Sequence, residues 1–366
     1  MNTVRIQGIA TAHPKTKYAQ KDLKDFMVQH IGTTAKKKAF IEAVYEGSAI
    51  EYRHSAVADF GLPMEQWSFL AKEASLLPEP TTALRNQIYS FETMRLAEEC
   101  VGKLFAGLTG FDPQTITHII GVSCTGFYAP GFDYHVCKTF GLRQDIQRFN
   151  IGFMGCLAAF PALKMAQAIC LVQPEARVLI VDIELTTLHF HVPFQADTVV
   201  VNALFADGAA AVLISATDVP GVTGTVALHD FQSRLVPNTD TDMTWIIGDH
   251  GYEMRLSAKV PQFIEQIMRA EIDKLLLKNK LVFTDLDLWA VHPGGRVILE
   301  KIEAVLQLPP TALAPSYNVL RELGNMSSTT IFFVLKEILA SKKKGKLFSC
   351  VFGPGLTMES GLMEIY

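Results

Sequence analysis

Short apolar strands alternate with longer amphipathic helices along this chain, and that alternation restricts the fold more than any other feature. The segments "ITHIIGVSC", "ARVLIVDIEL" and "GAAAVLIS" carry apolar residues on both faces. Strands of that kind are covered on both sides, which helices packed over a sheet provide. Between them run stretches with apolar residues three and four apart, such as "ALRNQIYSFETMRLAEECVGKLFAGL", the spacing of an amphipathic helix. The pattern predicts an α/β protein with layered helices and strands.

The rhythm occurs twice. "TVRIQGIATAHP" reads as an opening strand, and residues 20–60 are charge-rich and helical in pattern. The proline-bracketed "PMEQWSFLAKEASLLPEPTT" reads as a loop with short helices. Further on come the helix "LSAKVPQFIEQIMRAEIDKLLLKN", the strand "LDLWAVHP", the helices "GRVILEKIEAVLQL" and "SSTTIFFVLKEILASKKKG", and a terminal strand pair. Two similar halves follow, residues 1–217 and 218–366. The basic run "SKKKGK" suits a solvated helix end, with Gly345 at the C′ position.

A chain of 366 residues with 49% apolar and 19% charged residues can bury a large core. Its net charge of -4 argues against a dedicated nucleic-acid binder. The six cysteines show neither a C-x-x-C pair nor a metal-ligand spacing, so a reducing compartment is expected. No uncharged apolar run of membrane-spanning length stands out, and the N-terminus lacks a secretory pattern. The expected location is the cytoplasm.

Three residues invite chemistry. Cys156 follows Gly155 at the head of the apolar helical pattern "LAAFPALKMAQAIC". It reads either as a small buried thiol or as a nucleophile. In the second case helix N–H groups would stabilise its thiolate, lower its pKa and hold an oxyanion on an attached acyl group. His292 ends an apolar strand before "PGG", and Asn325 stands between Gly324 and an apolar helix. Alone, the first reads as a satisfied core histidine and the second as a helix cap. Glycine-marked junctions between strands or loops and helices gather at one end of an α/β sheet, where ligands bind. Together the three supply one nucleophile and two polar groups for a carbonyl oxygen.

The motifs "GFMGCLAAFPALKMA", "ALFADGAAAVLI", "WAVHPGGRVILEKIE", "LGNMSS" and "FGPGLTMES", in this order and spacing, resemble those of the type III polyketide synthases, the chalcone synthase-like family. The resemblance covers nearly the whole chain. It implies the thiolase-like fold, two duplicated halves in alternating αβαβα layers, and a homodimer. It also implies a catalytic triad of Cys156, His292 and Asn325. In that family the cysteine thiolate takes an acyl starter from a CoA thioester. The histidine and asparagine then stabilise the enolate left by malonyl-CoA decarboxylation, without a metal or other cofactor. A cationic His292 would also favour the thiolate. The enolate condenses with the bound acyl group, and repetition lengthens the chain.

By the same resemblance Phe205 matches a gate phenylalanine, while the second gate position holds Met254. Thr186 and Ser327 match small polar pocket residues. Cys124 and His189 stand where threonines are common, and Trp245 where a glycine is usual. Gly353 and Gly355 belong to the loop that shapes the family cavity. These departures point away from chalcone formation, toward a pyrone, resorcinol or phloroglucinol type product. A single-extension β-ketoacyl synthase III-like enzyme, or a cysteine acyltransferase or thioesterase, is the alternative. The positions that commonly meet CoA phosphates hold Phe40, Ala43 and Gly47. Lys36, Lys37, Lys38, Arg53 and His54 stand near as substitutes or as a solvated face, so an acyl-carrier protein is the alternative donor.

Overall fold

The computed structural model describes residues 3–366 except 221 and 223. The first part of the chain supplies strands β1 (Arg5–Ala12), β2 (Thr16–Ala19) and β3 (Tyr52–Ser55), with helices α1 (Gln20–His30) and α2 (Ala35–Gly47) between β2 and β3. Helix α3 (Thr82–Gly107) precedes β4 (His118–Ser123), α4 (Phe132–Thr139) and β5 (Gln147–Gly152). Then come α5 (Ala159–Val172), β6 (Arg177–Leu185), α6 (Ala196–Leu204) and β7 (Asp207–Ser215). The remainder supplies β8 (Val226–Leu235), the hairpin β9 (Met243–Gly248) and β10 (Gly251–Leu256), α7 (Val260–Lys278) and β11 (Leu288–Val291). Helices α8 (Arg296–Leu306), α9 (Ala314–Leu323) and α10 (Thr330–Ala340) lead to β12 (Gly345–Gly353) and β13 (Thr357–Ile365).

Nine strands form one mixed sheet in the order β11-β12-β13-β8-β1-β7-β6-β4-β5. Its two arms repeat a pattern outward from β1 and β8. Each runs antiparallel, antiparallel, then parallel: β1-β7-β6-β4 on one side and β8-β13-β12-β11 on the other. The arms join through a short β1–β8 pairing, Arg5 opposite Ala227 and Ile6 opposite Val226. Helices α5 and α10 occupy equivalent places, each preceding the strand next to the arm's innermost pair.

Strand alternation sorts the core into layers. On β6, Val178 and Ile180 face a core shared with Phe160 and Leu163 of α5 and Phe332 and Leu335 of α10. Leu179, Val181 and Ile183 face the opposite way, toward Leu96 and Val101 of α3. On β12, Leu347 and Val351 face α5 and α10, whereas Phe348 and Cys350 face Ile272 of α7 and Leu299 of α8. The result is the αβαβα arrangement of the thiolase-like fold. Gly155–Val172 is apolar enough to cross a membrane, with mean hydropathy 1.6, but 56% of it is buried within this central layer, and Lys164 interrupts it.

Local departures from the sequence reading have identifiable causes. The segment "QRFNIG" forms the edge strand β5, whose residues are mostly exposed, so no apolar alternation marks it. Helix α10 ends before the basic run, and Lys342 adopts the left-handed backbone (φ 58°) expected of Gly345, which instead opens β12.

Candidate active site

Cys156 lies in a tight 3-10 turn, Gly155–Leu157, that leads into α5. Gly155 has φ +64°, and a Cβ there would stand 2.5 Å from Pro354 Cδ. A side chain is therefore excluded twice, by backbone conformation and by the "FGPG" loop pressed against the turn. The loop comes equally close through Gly353, whose added Cβ would meet Leu157 Cδ2 at 2.6 Å. In the other arm, Asn325 and Ser327 take the equivalent place ahead of α10. The structural repeat thus delivers both segments to the same central layer.

A small cavity is lined by Cys124, Gly155, Cys156, Thr186, Phe205, Met243, Trp245, Met254, Ser327 and Pro354. Trp245 and Met254 are direct cross-strand partners in the β9–β10 hairpin, so one hairpin carries both. The Trp245 indole N–H donates to Cys124 O at 2.7 Å. Phe205 and Thr186 also border a second cavity of about 480 Å3, lined on its far side by α1 and α2 residues such as Phe26, Met27 and Tyr45.

Some expected lining residues stand elsewhere. His189 faces the second cavity instead. Its Nε2 reaches Thr125 O at 2.8 Å, while Nδ1 accepts from Tyr252 N at 2.9 Å. With both nitrogens engaged and its ring stacked on Tyr252 at 4.1 Å, His189 buttresses the hairpin from behind. Gly353 and Gly355 do not line the Cys156 cavity; Pro354 between them does. Lys36 and Lys38 are exposed, but Arg53 and His54 are buried and point inward. Those two cannot form a surface phosphate site.

Polar contacts run from Ser327, in the wall of the Cys156 cavity, through Asn325 to the backbone of Gly294, two residues after His292; His292 and Asn325 themselves are not among the residues lining that cavity. Ser327 lines the cavity beside Cys156, and its Oγ lies 3.6 Å from Cys124 Sγ. Ser327 N donates to Asn325 Oδ1 at 2.9 Å, and Asn325 Nδ2 donates weakly to Gly294 O at 3.3 Å. An added Cβ on Gly294 would lie 3.9 Å from His292 Nε2. Asn325 therefore caps the turn that starts at Ser327, as its sequence position suggested, and directs its amide N–H to the backbone of Gly294, two residues after His292. Both His292 ring nitrogens are buried and have no hydrogen-bond partner among the described residues. Buried polar atoms are ordinarily paired, so both nitrogens of this imidazole have hydrogen-bonding capacity left over.

The electrostatics differ from the sequence expectation. Burial pushes the Cys156 thiol up to about 12, against the opposing pull of the Ser327 hydroxyl. Burial likewise pushes the His292 imidazole down to about 3. Burial thus favours the uncharged forms of both groups, a thiol and a neutral imidazole. A neutral histidine retains one N–H donor for a carbonyl oxygen.

Beneath the cavity lie residues that the sequence reading passed over. Asp182 and Glu184 are fully buried on the same face of β6. Glu184 accepts from Cys124 N at 3.0 Å, Cys124 Sγ at 3.1 Å and Thr125 Oγ1 at 2.9 Å. Ser328 Oγ stands 2.8 Å from Asp182 Oδ1 and 2.7 Å from Glu184 Oε1. A hydroxyl has one hydrogen, so it donates to one carboxyl and accepts from the other, which must be protonated. Glu184 has the other donors, whereas Asp182 Oδ2 has no partner among the described residues. Asp182 is the neutral acid; burial and the Glu184 charge raise its pKa well above the ordinary value. Two acids two apart in the buried strand "VDIEL" were the available signal.

The N-terminal domain profile of the chalcone and stilbene synthases matches residues 2–218, and the C-terminal domain profile matches residues 227–365. The chain is 32% identical over 368 residues to the "Alpha-pyrone synthesis polyketide synthase-like Pks18" of Mycobacterium tuberculosis, covering 98% of this chain and 91% of that protein. It is 32% identical over 316 residues to "Type III polyketide synthase C" of Arabidopsis thaliana, covering 82% and 80%. Among solved structures, PKS-I of the brown alga Ectocarpus siliculosus superposes with TM-score 0.91 at 29% identity, covering 100% of this chain and 98% of that one. The C-terminal type III polyketide synthase domain of Steely1 from Dictyostelium gives TM-score 0.90 at 27% identity, covering 99% of each chain. The chain belongs to the chalcone and stilbene synthase family, whose members use acyl-CoA and malonyl-CoA, and is a type III polyketide synthase, an acyltransferase.

Proposed function

We propose that the enzyme loads a linear or small acyl starter onto Cys156, extends it with malonyl-CoA, and releases the chain as an α-pyrone. Resorcinol or phloroglucinol type closure is the neighbouring outcome. The observation that carries this reading is the buried His292 imidazole with both nitrogens unpartnered among the described residues, together with an Asn325 amide oriented by Ser327 N and reaching Gly294 O, two residues after His292. Two N–H donors aimed at one thioester carbonyl stabilise negative charge as it develops there.

In the proposed cycle the Cys156 sulfur attacks the starter thioester and CoA leaves with the proton. Malonyl-CoA then loses CO2, and the electron pair of the broken C–C bond becomes the enolate. His292 and Asn325 donate to its oxygen. The enolate carbon attacks the Cys156-bound acyl carbon, and Cys156 leaves as thiolate, ready to accept the lengthened chain. Phe205 and Met254 flank the passage to the cavity, and Trp245 limits its depth. Cys124, Thr186 and Ser327 form the polar part of the wall, and the close "FGPG" loop closes it.

The name of the mycobacterial relative supports the pyrone reading, and so does the narrowing of the Cys156 cavity by an indole in its wall. That same narrowness favours few extensions, and a single condensation is the limiting case. All six cysteines are free, which suits the cytoplasm. A homodimer, with free CoA thioesters or an acyl-carrier protein as donors, completes the proposal. Incubation with a panel of acyl-CoAs and isotope-labelled malonyl-CoA, read by mass spectrometry, tests it. Labelled pyrones that vanish with Cys156→Ala are expected. Acyl-CoA loss without malonyl-CoA consumption would point to the thioesterase alternative.

A further inference from the structure

Helix α6 ends at Leu204, one residue before Phe205. The last carbonyls of a helix lack partners within it, and here each is met from outside by a specific group. Arg53 Nη1 donates to Asn202 O at 2.8 Å and to Phe205 O at 2.6 Å. Gln20 Nε2 donates to Ala203 O at 2.8 Å, and Asn325 N donates to Leu204 O at 3.0 Å. Ala206 N in turn donates to Asn325 O at 2.8 Å, so Phe205 and Asn325 share a short parallel bridge.

Arg53 and Gln20 form one unit. Arg53 Nε donates to Gln20 Oε1 at 2.9 Å, and both side chains are buried. The same guanidinium stem lies under Gly324, where an added Cβ would meet Arg53 Cγ at 2.9 Å. Arg53 therefore touches the backbone on both sides of the bridge: the carbonyl of Phe205 and the glycine before Asn325. Burying a guanidinium costs free energy unless its donors are used, and the planar fork reaches carbonyls that a single point donor reaches less completely.

We infer that Arg53, fixed by Gln20, is a positioning residue that sets Phe205 and Asn325 in one register, so that passage into the cavity and the enolate-stabilising amide are aligned together. This rests on the roles proposed above for those two residues. Arg53 touches no reacting atom; it acts through the backbone it caps. Loading of Cys156 uses the passage but not the Asn325 amide, whereas decarboxylation depends on both, so a shift of this register lowers decarboxylation more than loading.

The test uses the full-length enzyme with Arg53→Met, Arg53→Lys and Gln20→Ala. Cys156 acylation by starter and CO2 release from labelled malonyl-CoA are measured per alkylatable active site. For Arg53→Met the ratio of decarboxylation to loading is expected to fall at least tenfold. Arg53→Lys is expected to restore most of it, and Gln20→Ala to lower it less, in the same direction. A general loss of folding lowers both activities per milligram and leaves the ratio unchanged. An unchanged ratio in folded Arg53→Met overturns the inference; should that variant not fold, an unchanged ratio in Gln20→Ala does so. Wild-type enzyme that loads starter but releases no CO2 would instead refute the proposed function.

Discussion

Trp245 is tied to Cys124: its indole N–H donates to the Cys124 carbonyl at 2.7 Å, and both side chains line the Cys156 cavity. The bulkiest wall residue is thus held to the strand end that carries the neighbouring thiol. His189 reinforces it edge-on at 5.3 Å. A wall fixed at both the nitrogen and the ring face does not swing aside for a larger substrate.

Trp245→Gly is therefore expected to lengthen the accepted starter or add an extension, while turnover of the shortest starters stays within a few-fold of wild type. The residue is only half-buried, so the stability loss should fall below the about 3–5 kcal/mol of a fully buried tryptophan truncation. Product profiling across starter lengths checks this; an unchanged profile would show that Trp245 does not set cavity depth.

Ser327 lowers the Cys156 pKa against burial. Ser327→Ala removes the hydroxyl, so the thiol pKa should rise further and the thiolate fraction fall. Iodoacetamide alkylation of Cys156, followed by peptide mass spectrometry at pH 7–8, should slow severalfold. Equal or faster alkylation would exclude Ser327 as a thiolate partner.

The single hydroxyl of Ser328 between Asp182 and Glu184 requires one protonated carboxyl at neutral pH. Infrared spectroscopy should show a protonated-carboxyl carbonyl band that disappears in Asp182→Asn. The folded acid keeps a proton that the unfolded chain releases above its ordinary pKa of 3.8. Stability therefore falls as pH rises from that value toward the raised folded pKa. The carboxamide introduced by Asp182→Asn mimics the neutral acid, so this variant should gain Tm relative to wild type as pH rises through that range. No such gain would reassign the proton.

The depressed imidazoles give the opposite sign. His189 is pushed down to about 3 by burial, so between about 3 and 6.5 the unfolded chain binds the extra proton. Its contribution is fully present above pH 6.5 and is lost as pH falls toward 3. His292 behaves alike. His189→Gln should flatten the decline of Tm between pH 6.5 and 5, although its Tm at pH 8 is lower through the lost Thr125 or Tyr252 bond. An equally steep decline would remove His189 from the acid limb.

The layered architecture was legible because β4, β6 and β7 are buried on both faces and carry apolar residues at both alternations. The β9–β10 hairpin was not, since its burial is irregular and its inward residues are a tryptophan and a methionine amid charges. Cys156, His292 and Asn325 stood out through the glycines beside them, which mark the tight junctions the structure contains. The protonation of Cys156 and His292 did not, because it depends on burial by segments distant in sequence. Arg53 and His54 misled for a similar reason: two basic residues beside a lysine-rich helix look solvated, but they lie on the short strand β3, which packs inward. The Asp182–Ser328–Glu184 contact joins two segments, and strand alternation alone could reveal only that the acids share a face.

The central claim is that His292 and Asn325 act on the enolate while Cys156 carries the acyl chain. CO2 release from labelled malonyl-CoA by His292→Ala, measured beside acylation of its Cys156, tests this most directly. Loss of one preorganised donor should lower decarboxylation by about 10²–10³-fold while starter still acylates Cys156 to at least a partial extent. Decarboxylation at the wild-type rate in that variant would contradict the account.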